Sequence, residues 1–215
     1  MVVKTQQEKV WSGKFGKNYT DRNILPPEEL DQVYIDRYGL SRTFLNKEFI
    51  ENKINKNKKI LEIGCNIGNQ LAIIQKMGYK NLWGIELQDY AVELAKERMK
   101  DANIIKSSAF NIPFKDSYFD LVFTSGLLIH ISPKDINYVL DEIFRCCNSY
   151  IWGLEYFIPE GYETVVYRGN DNLLWKTDFS KLFLDRFADL KLVHKKLLKY
   201  QDSDNLDLMY LLKKT

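Results

Sequence analysis

The chain has 215 residues, of which 45% are hydrophobic and 28% charged, and its formal net charge is +2. That length fits one domain with a substantial core, and the balance excludes a disordered chain. A charge so near neutral gives no electrostatic case for a nucleic-acid partner.

The opening stretch MVVKTQQEKVW lacks the apolar centre of a signal peptide. No apolar run approaches the ~18 residues of a membrane span, so no membrane partner is expected. The three cysteines, Cys65, Cys146 and Cys147, form neither a CxxC pair nor an even set. They point to a reduced, cytoplasmic protein, and no metal site is expected.

Residues 1–27 carry Trp11, Phe15 and Tyr19 among glycines and polar residues with little period, and they end at Pro26-Pro27. They read as a flap or lid. In residues 28–55 apolar side chains recur at three- and four-residue steps, which predicts a helical flank interrupted near Gly39. The lysine-rich KINKNKK (53–59) reads as a solvated linker, the alternative being a phosphate-binding patch. Over 58–156, strands at 60–63, 82–85, 104–107, 119–124 and 150–154 alternate with helices at 69–77, 90–99 and 134–146. A substrate-side insertion follows at 157–177. The remaining segment, 178–215, gives a helix and then two strands, 190–200 and 206–212, divided by the polar turn QDSDN (201–205). Helical crossovers between short apolar strands imply a parallel sheet covered on both faces. The expected architecture is a single α/β domain: a Rossmann-like, doubly wound, mostly parallel seven-stranded sheet with a C-terminal antiparallel hairpin.

The stretch ILEIGCNIGN (60–69) is a buried strand running into a turn with two glycines, Gly64 and Gly68. In an open parallel sheet, ligands bind beyond the carboxyl ends of the strands. A dinucleotide site would want GxGxxG, whose middle glycine lets a pyrophosphate approach the backbone. Here that place is Asn66. It tolerates a left-handed turn but carries a side chain where a pyrophosphate would press. Two carboxylates sharpen the choice: Glu62 beside the turn suits an ammonium, and Glu86 at the next strand end suits the two hydroxyls of a ribose. A cationic, phosphate-free nucleoside fits both, and S-adenosyl-L-methionine is one.

EIGCNIG (62–68), GIEL (84–87) and SSAFNIPFKDSYFDLVFTSGLLIH (107–130), in this order and spacing, resemble the successive motifs of class I S-adenosylmethionine-dependent methyltransferases. The resemblance implies Gly64, Cys65, Asn66 and Gly68 around the methionine portion, Glu86 and Leu87 at the ribose, and Ser108, Ala109 and Phe110 against the adenine. It adds Ser125 and Gly126 beyond the fourth strand. One departure stands out: Ser108 occupies a place where the family often has an aspartate for the adenine amino group. Asp120 is expected to support the fourth strand. The flanks VWSGKFGKNYTDRN (10–23), GLLIHISP (126–133) and WGLEYFIPEGYETVVYRGNDNLLWKTDFSKLF (152–183) resemble the methylases associated with pseudaminic acid biosynthesis. This second resemblance implies a sugar-like acceptor.

A sulfonium is an excellent leaving group, so the protein must chiefly align a nucleophile and exclude water. The aromatic N-terminal segment suits that lid, with Trp11 and Tyr19 offering donors and Arg22 a cation to the cofactor carboxylate; alternatively these rings only pack the arm onto the core. A hydroxyl nucleophile needs a base with a pKa near neutrality, and His130, just past the fourth strand, is the candidate, or else a structural residue shaping its loop. His194 reads as surface. Glu155, Tyr156, Arg168 and Trp175 are expected to form the acceptor wall, rings stacking on sugar faces and the arginine gripping an anion. The expected activity is methyl transfer to a small molecule by a monomer or homodimer, the alternatives being a protein or RNA acceptor, or a cofactor-binding scaffold without catalysis.

Overall fold

A computed structural model describes residues 5–215; the first four residues of the expected flap lie outside the described residues. In chain order the elements are α1 (Gln6–Trp11), α2 (Lys14–Arg22), α3 (Pro27–Tyr38), α4 (Arg42–Ile50), β1 (Lys59–Ile63), α5 (Asn69–Lys76), β2 (Asn81–Glu86), α6 (Asp89–Arg98), β3 (Asn103–Lys106) and β4 (Phe119–Ser125). A 3-10 turn (Leu128–His130), α7 (Ile136–Cys146), β5 (Cys147–Tyr156), β6 (Glu163–Thr164), β7 (Trp175–Lys176), α8 (Phe179–Arg186), β8 (Leu190–Lys199) and β9 (Leu206–Lys214) follow.

Seven strands form one sheet in the order β3-β2-β1-β4-β5-β9-β8. The first five are parallel, and β9 enters antiparallel between β5 and β8. The expected α/β, Rossmann-like sheet with its terminal hairpin is present. Side-chain alternation along the strands explains its two-sided burial. Ile60, Leu121 and Leu211 pack under α3, α4, α5 and α6. Their neighbours Leu61, Val122 and Leu212 pack under α7 and α8. The chain order reverses between β1 and β4, so both strands deliver their carboxyl ends to one crevice.

Local chemistry accounts for the helix limits. Thr5 and Glu8 close a reciprocal capping box at the start of α1. Pro27 opens α3, and Gly39 ends it in the left-handed conformation at φ 74°. The N-terminal segment, whose sequence shows little period, is two helices meeting at a tight corner. A Cβ on Gly16 would lie 1.8 Å from the carbonyl oxygen of Trp11, so only glycine fits the corner. Asp120 accepts from the Lys59 amide and the Lys58 ammonium, each at 3.0 Å, and ties the start of β1 to β4. That is the supporting role expected of it, and it draws the end of the lysine-rich linker onto the sheet. His194 is half-buried rather than on the open surface, with Nε2 2.9 Å from Glu48. Among the described residues no helix is long and apolar enough to cross a membrane.

Candidate functional site

A cavity of about 800 Å³ lies over the carboxyl ends of β1, β2, β4 and β5, roofed by α1, α2 and α3. Its floor is the turn after β1. Gly64 and Asn66 have φ of 71° and 47°, and Gly68 has φ of 79°. The amides of Gly64 and Cys65 both donate to the carbonyl oxygen of Ile85, at 2.9 and 3.0 Å, which locks the turn against β2. The Cys65 side chain is buried beneath it. Asn66 holds the turn to the roof, its Nδ2 donating to Thr20 Oγ1 at 3.0 Å. Gly68 does not reach the cavity wall, contrary to the expectation of cofactor contact. It begins α5, where a Cβ would stand 2.7 Å from Met99.

The two carboxylates sit on either side of this turn. Glu86 accepts from the Asn66 amide at 3.0 Å through one oxygen, and from the Leu87 and Gln88 amides at 2.7 and 2.9 Å through the other. Burial raises its pKa, and those three amides pull it back. Glu62 is buried, and its Oε2 has no hydrogen-bond partner among the described residues. Burial pushes it well above the ordinary carboxylate range; the nearby Arg42 charge opposes that and the Glu86 charge adds to it.

Arg42 is a site residue that the sequence reading missed. It is 0% exposed and donates to Asn46 Oδ1 at 2.7 Å, Tyr34 Oη at 2.9 Å and Ser125 Oγ at 3.1 Å. It lies behind Tyr34, Glu62 and Ser125, all of which line the cavity, as does Gly126. Nothing in the spacing around Arg42 marks it: it follows the helix-capping Ser41 and reads as an ordinary first-turn residue.

Towards β3, Leu87, Ala109 and Phe110 give the cavity an apolar side, with Ser108 at its edge. Ser108 accepts from the Phe110 amide at 3.1 Å and donates to Glu8 at 2.6 Å. Glu8, also missed, reaches here from α1; its signal in the sequence is the capping box Thr5-Gln6-Gln7-Glu8.

Trp11, Tyr19 and Arg22 line the cavity from the roof, Arg22 at its exposed rim. The Trp11 ring is 4.4 Å from His130 and 5.2 Å from Tyr19. Its Nε1 is buried without a partner among the described residues. Burial, and then Tyr167, push the Tyr19 hydroxyl up.

His130 lines the same space, with Nδ1 2.6 Å from the carbonyl oxygen of Leu173. A carbonyl only accepts, so Nδ1 carries the proton and Nε2 is the ring's acceptor. Burial pushes the imidazole down to about 4, only partly offset by that carbonyl. The expected pKa near neutrality is absent.

Of the expected acceptor wall, Tyr156 and Arg168 line the cavity, joined by Tyr167. Glu155 and Trp175 do not. Alternation along β5 places Leu154 and Tyr156 on the cavity side and Glu155 on the opposite face. Glu155 is 2% exposed and accepts from the Leu127 and Ile129 amides at 3.2 and 3.4 Å. Burial pushes it up to about 7, against bonds from Thr124 and these amides. Trp175 is buried in β7 opposite Thr164, bracing the insertion. The far end of the cavity holds residues the sequence reading passed over: Arg37, Tyr38 and Asp207. Asp207 accepts from the Tyr38 hydroxyl and, at 3.3 Å, from Tyr200.

The donor set fits S-adenosylmethionine. A buried, unpartnered carboxylate oxygen on Glu62 suits an ammonium, Glu86 Oε2, which accepts only from the Asn66 amide, keeps a free lone pair for a ribose hydroxyl, and the apolar side suits a base.

Comparisons with known proteins agree. Residues 61–149 match the family described as "Methyltransferase domain". The phosphoethanolamine N-methyltransferase of Plasmodium falciparum is 27% identical over 131 residues, covering 59% of this chain and 48% of that protein. The chain spans about half the length of the curated relatives it matches, 48% and 52% of the first two. Among solved structures, the 1,6-didemethyltoxoflavin-N1-methyltransferase of Burkholderia thailandensis, with 1,6-didemethyltoxoflavin and S-adenosylhomocysteine bound, superposes with a TM-score of 0.73 at 14% identity. The match covers 100% of this chain and 92% of that one. A SAM-dependent methyltransferase from Methanosarcina mazei gives 0.63 at 19% identity, over 77% and 96% of the two chains. At these identities the structural likenesses show the fold. Residues 61–149 thus resemble a methyltransferase domain, set in a Rossmann-like sheet that the solved methyltransferase structures share.

Proposed function

We propose that the chain transfers the methyl group of S-adenosylmethionine to a hydroxyl or amine of a small, sugar-like acceptor. The observation that carries the reading is the pair Glu62 and Glu86 on either side of the left-handed turn, one with an unpartnered buried oxygen and the other with a free lone pair on Oε2. That arrangement attracts a cation and hydroxyl donors and repels a diphosphate.

The cofactor, when bound, supplies an activated methyl group. Glu62 holds its ammonium, Glu86 its ribose, and Leu87, Ala109 and Phe110 flank its base. Trp11, Tyr19 and Arg22 cover it from α1 and α2 and exclude water. His130 is neutral at pH 7, and its Nε2 accepts the hydrogen of the acceptor's O–H or N–H, aiming a lone pair at the methyl carbon. Ser125 and Gly126 bound the same space. Tyr156, Tyr167 and Arg168 suit the ring and an anionic group of the acceptor. Among sugars, an activated nonulosonic acid of the pseudaminic type is the candidate, on the flank motifs quoted above. The reading includes a cytoplasmic protein, monomeric or homodimeric.

Incubating the protein with isotopically methyl-labelled cofactor and a pool of nonulosonic acid precursors, followed by mass spectrometry, tests this. Labelled product in a sugar fraction is expected. Label only in protein or RNA would overturn the acceptor assignment.

A further inference from the structure

We propose that Glu8, carried by the N-terminal helix, is the acceptor for the adenine amino group, so that the chain's first helix reads the base of the cofactor. The inference rests on the cofactor reading above and deepens it.

The direction of the bound molecule follows from the sheet. The strand order runs β3-β2-β1-β4. With the ammonium at Glu62 on β1 and the ribose at Glu86 on β2, the base must extend to the far side of β2, over the end of β3. The residues there are Leu87, Ala109 and Phe110, apolar and in the cavity wall, with Ser108 beside them. An apolar slot binds any purine. A charged acceptor at its edge distinguishes an exocyclic amine from a carbonyl.

Ser108 is poorly placed to be that acceptor. Its one hydroxyl hydrogen goes to Glu8, at 2.6 Å, and one lone pair takes the Phe110 amide. The carboxylate at this edge belongs to Glu8. It lines the cavity, is only 8% exposed, and has each oxygen engaged once, by Ser108 and by the Thr5 amide. One lone pair remains on each. Burying a carboxylate is costly unless donors satisfy it, and an adenine amino group would supply the missing one. Glu8 is also part of the α1 cap and sits three residues before Trp11. A base held by Glu8 thus holds in place the helix that carries Trp11 over His130.

Titration calorimetry with S-adenosylhomocysteine and S-inosylhomocysteine, whose purines carry a 6-amino group beside a bare N1 and a 6-carbonyl beside an N1–H respectively, tests this. The native protein is expected to prefer the adenosyl compound by about tenfold or more, the scale of a hydrogen bond to a charged group. Glu8→Gln keeps an oxygen for the cap but presents an amide that can also donate, and should bring the two within about threefold. Thr5→Ala, which weakens the cap and leaves the carboxylate, should keep the native preference. Should Glu8→Gln fail to fold, Glu8→Asp, which withdraws the carboxylate by one methylene, should still cut the preference severalfold. An undiminished preference in a folded Glu8 variant, or none in the native protein, overturns the inference. Failure of both compounds to bind the native protein would overturn the cofactor reading itself.

Discussion

The Nδ1 of His130 and the carbonyl oxygen of Leu173, 43 residues apart in the chain, lie 2.6 Å from one another. This bond fixes the tautomer and orients the ring, while the insertion that supplies Leu173 also supplies Tyr167 and Arg168 to the cavity. The proposed acceptor wall and the catalytic candidate are therefore one mechanical unit.

His130→Ala should lower the turnover rate by about a hundredfold, at the low end of the range for positioned proton acceptors, and leave cofactor affinity within about twofold. Because burial holds the imidazole down at about 4, the native pH–rate profile should show no His130 inflection between pH 5.5 and 8. An inflection near 6.5 that His130→Ala removes would show that the ring titrates in the working range.

The same group makes stability depend on acid. Its folded pKa lies below its unfolded value of 6.5, so the unfolded chain binds the proton first as pH falls. The contribution is whole above 6.5 and is lost on acidification towards 4, on the order of 2–3 kcal/mol. Urea midpoints at pH 7 and pH 5 should differ less in His130→Gln than in the native protein.

Glu155 has the opposite sign. Its pKa, about 7 in the fold against 4.5 unfolded, means that the folded chain keeps a proton which the unfolded chain gives up. Stability then falls as pH rises from 4.5 through 7. Glu155→Gln keeps an oxygen to accept the Leu127 and Ile129 amides and should remove most of that fall, worth roughly 2–3 kcal/mol. Equal pH dependence in variant and native urea curves would contradict this.

Glu86→Ala should weaken S-adenosylhomocysteine binding by roughly 1–3 kcal/mol, the scale of bonds to a charged acceptor. The variant also strands the amides of Asn66, Leu87 and Gln88, so melting temperature should be followed alongside calorimetry.

Arg42→Met removes three hydrogen bonds, two of them fully buried, and a charge facing Glu62. Loss of one member of such a buried set costs about 3–5 kcal/mol, and chemical denaturation should show it. A native-like denaturation midpoint would mean that the cluster does not hold α4 to the sheet.

The sheet was legible because each parallel strand is a short apolar run bounded by polar turns, with Gly64 and Gly78 punctuating the chain where it bends. The cofactor turn was legible for the same reason, and so was the helix break at Gly39. Residues placed by tertiary packing were harder. Glu155 and Tyr156 are adjacent in sequence, yet alternation sends one to the cavity and the other to a buried brace, and composition does not say which. Arg42 and Asp207 reach the site only because α3, α4 and the hairpin fold over it. Glu8 was in principle readable, since Thr5-Gln6-Gln7-Glu8 is a helix-start signature, but its contact with Ser108 spans 100 residues.

The pairing of Glu62 with Glu86 around the turn after β1 carries the functional reading, and calorimetry with S-adenosylmethionine and nicotinamide adenine dinucleotide in parallel tests it most directly. The account predicts stoichiometric binding of the sulfonium compound and none of the dinucleotide. Tight binding of the dinucleotide in place of S-adenosylmethionine would contradict it.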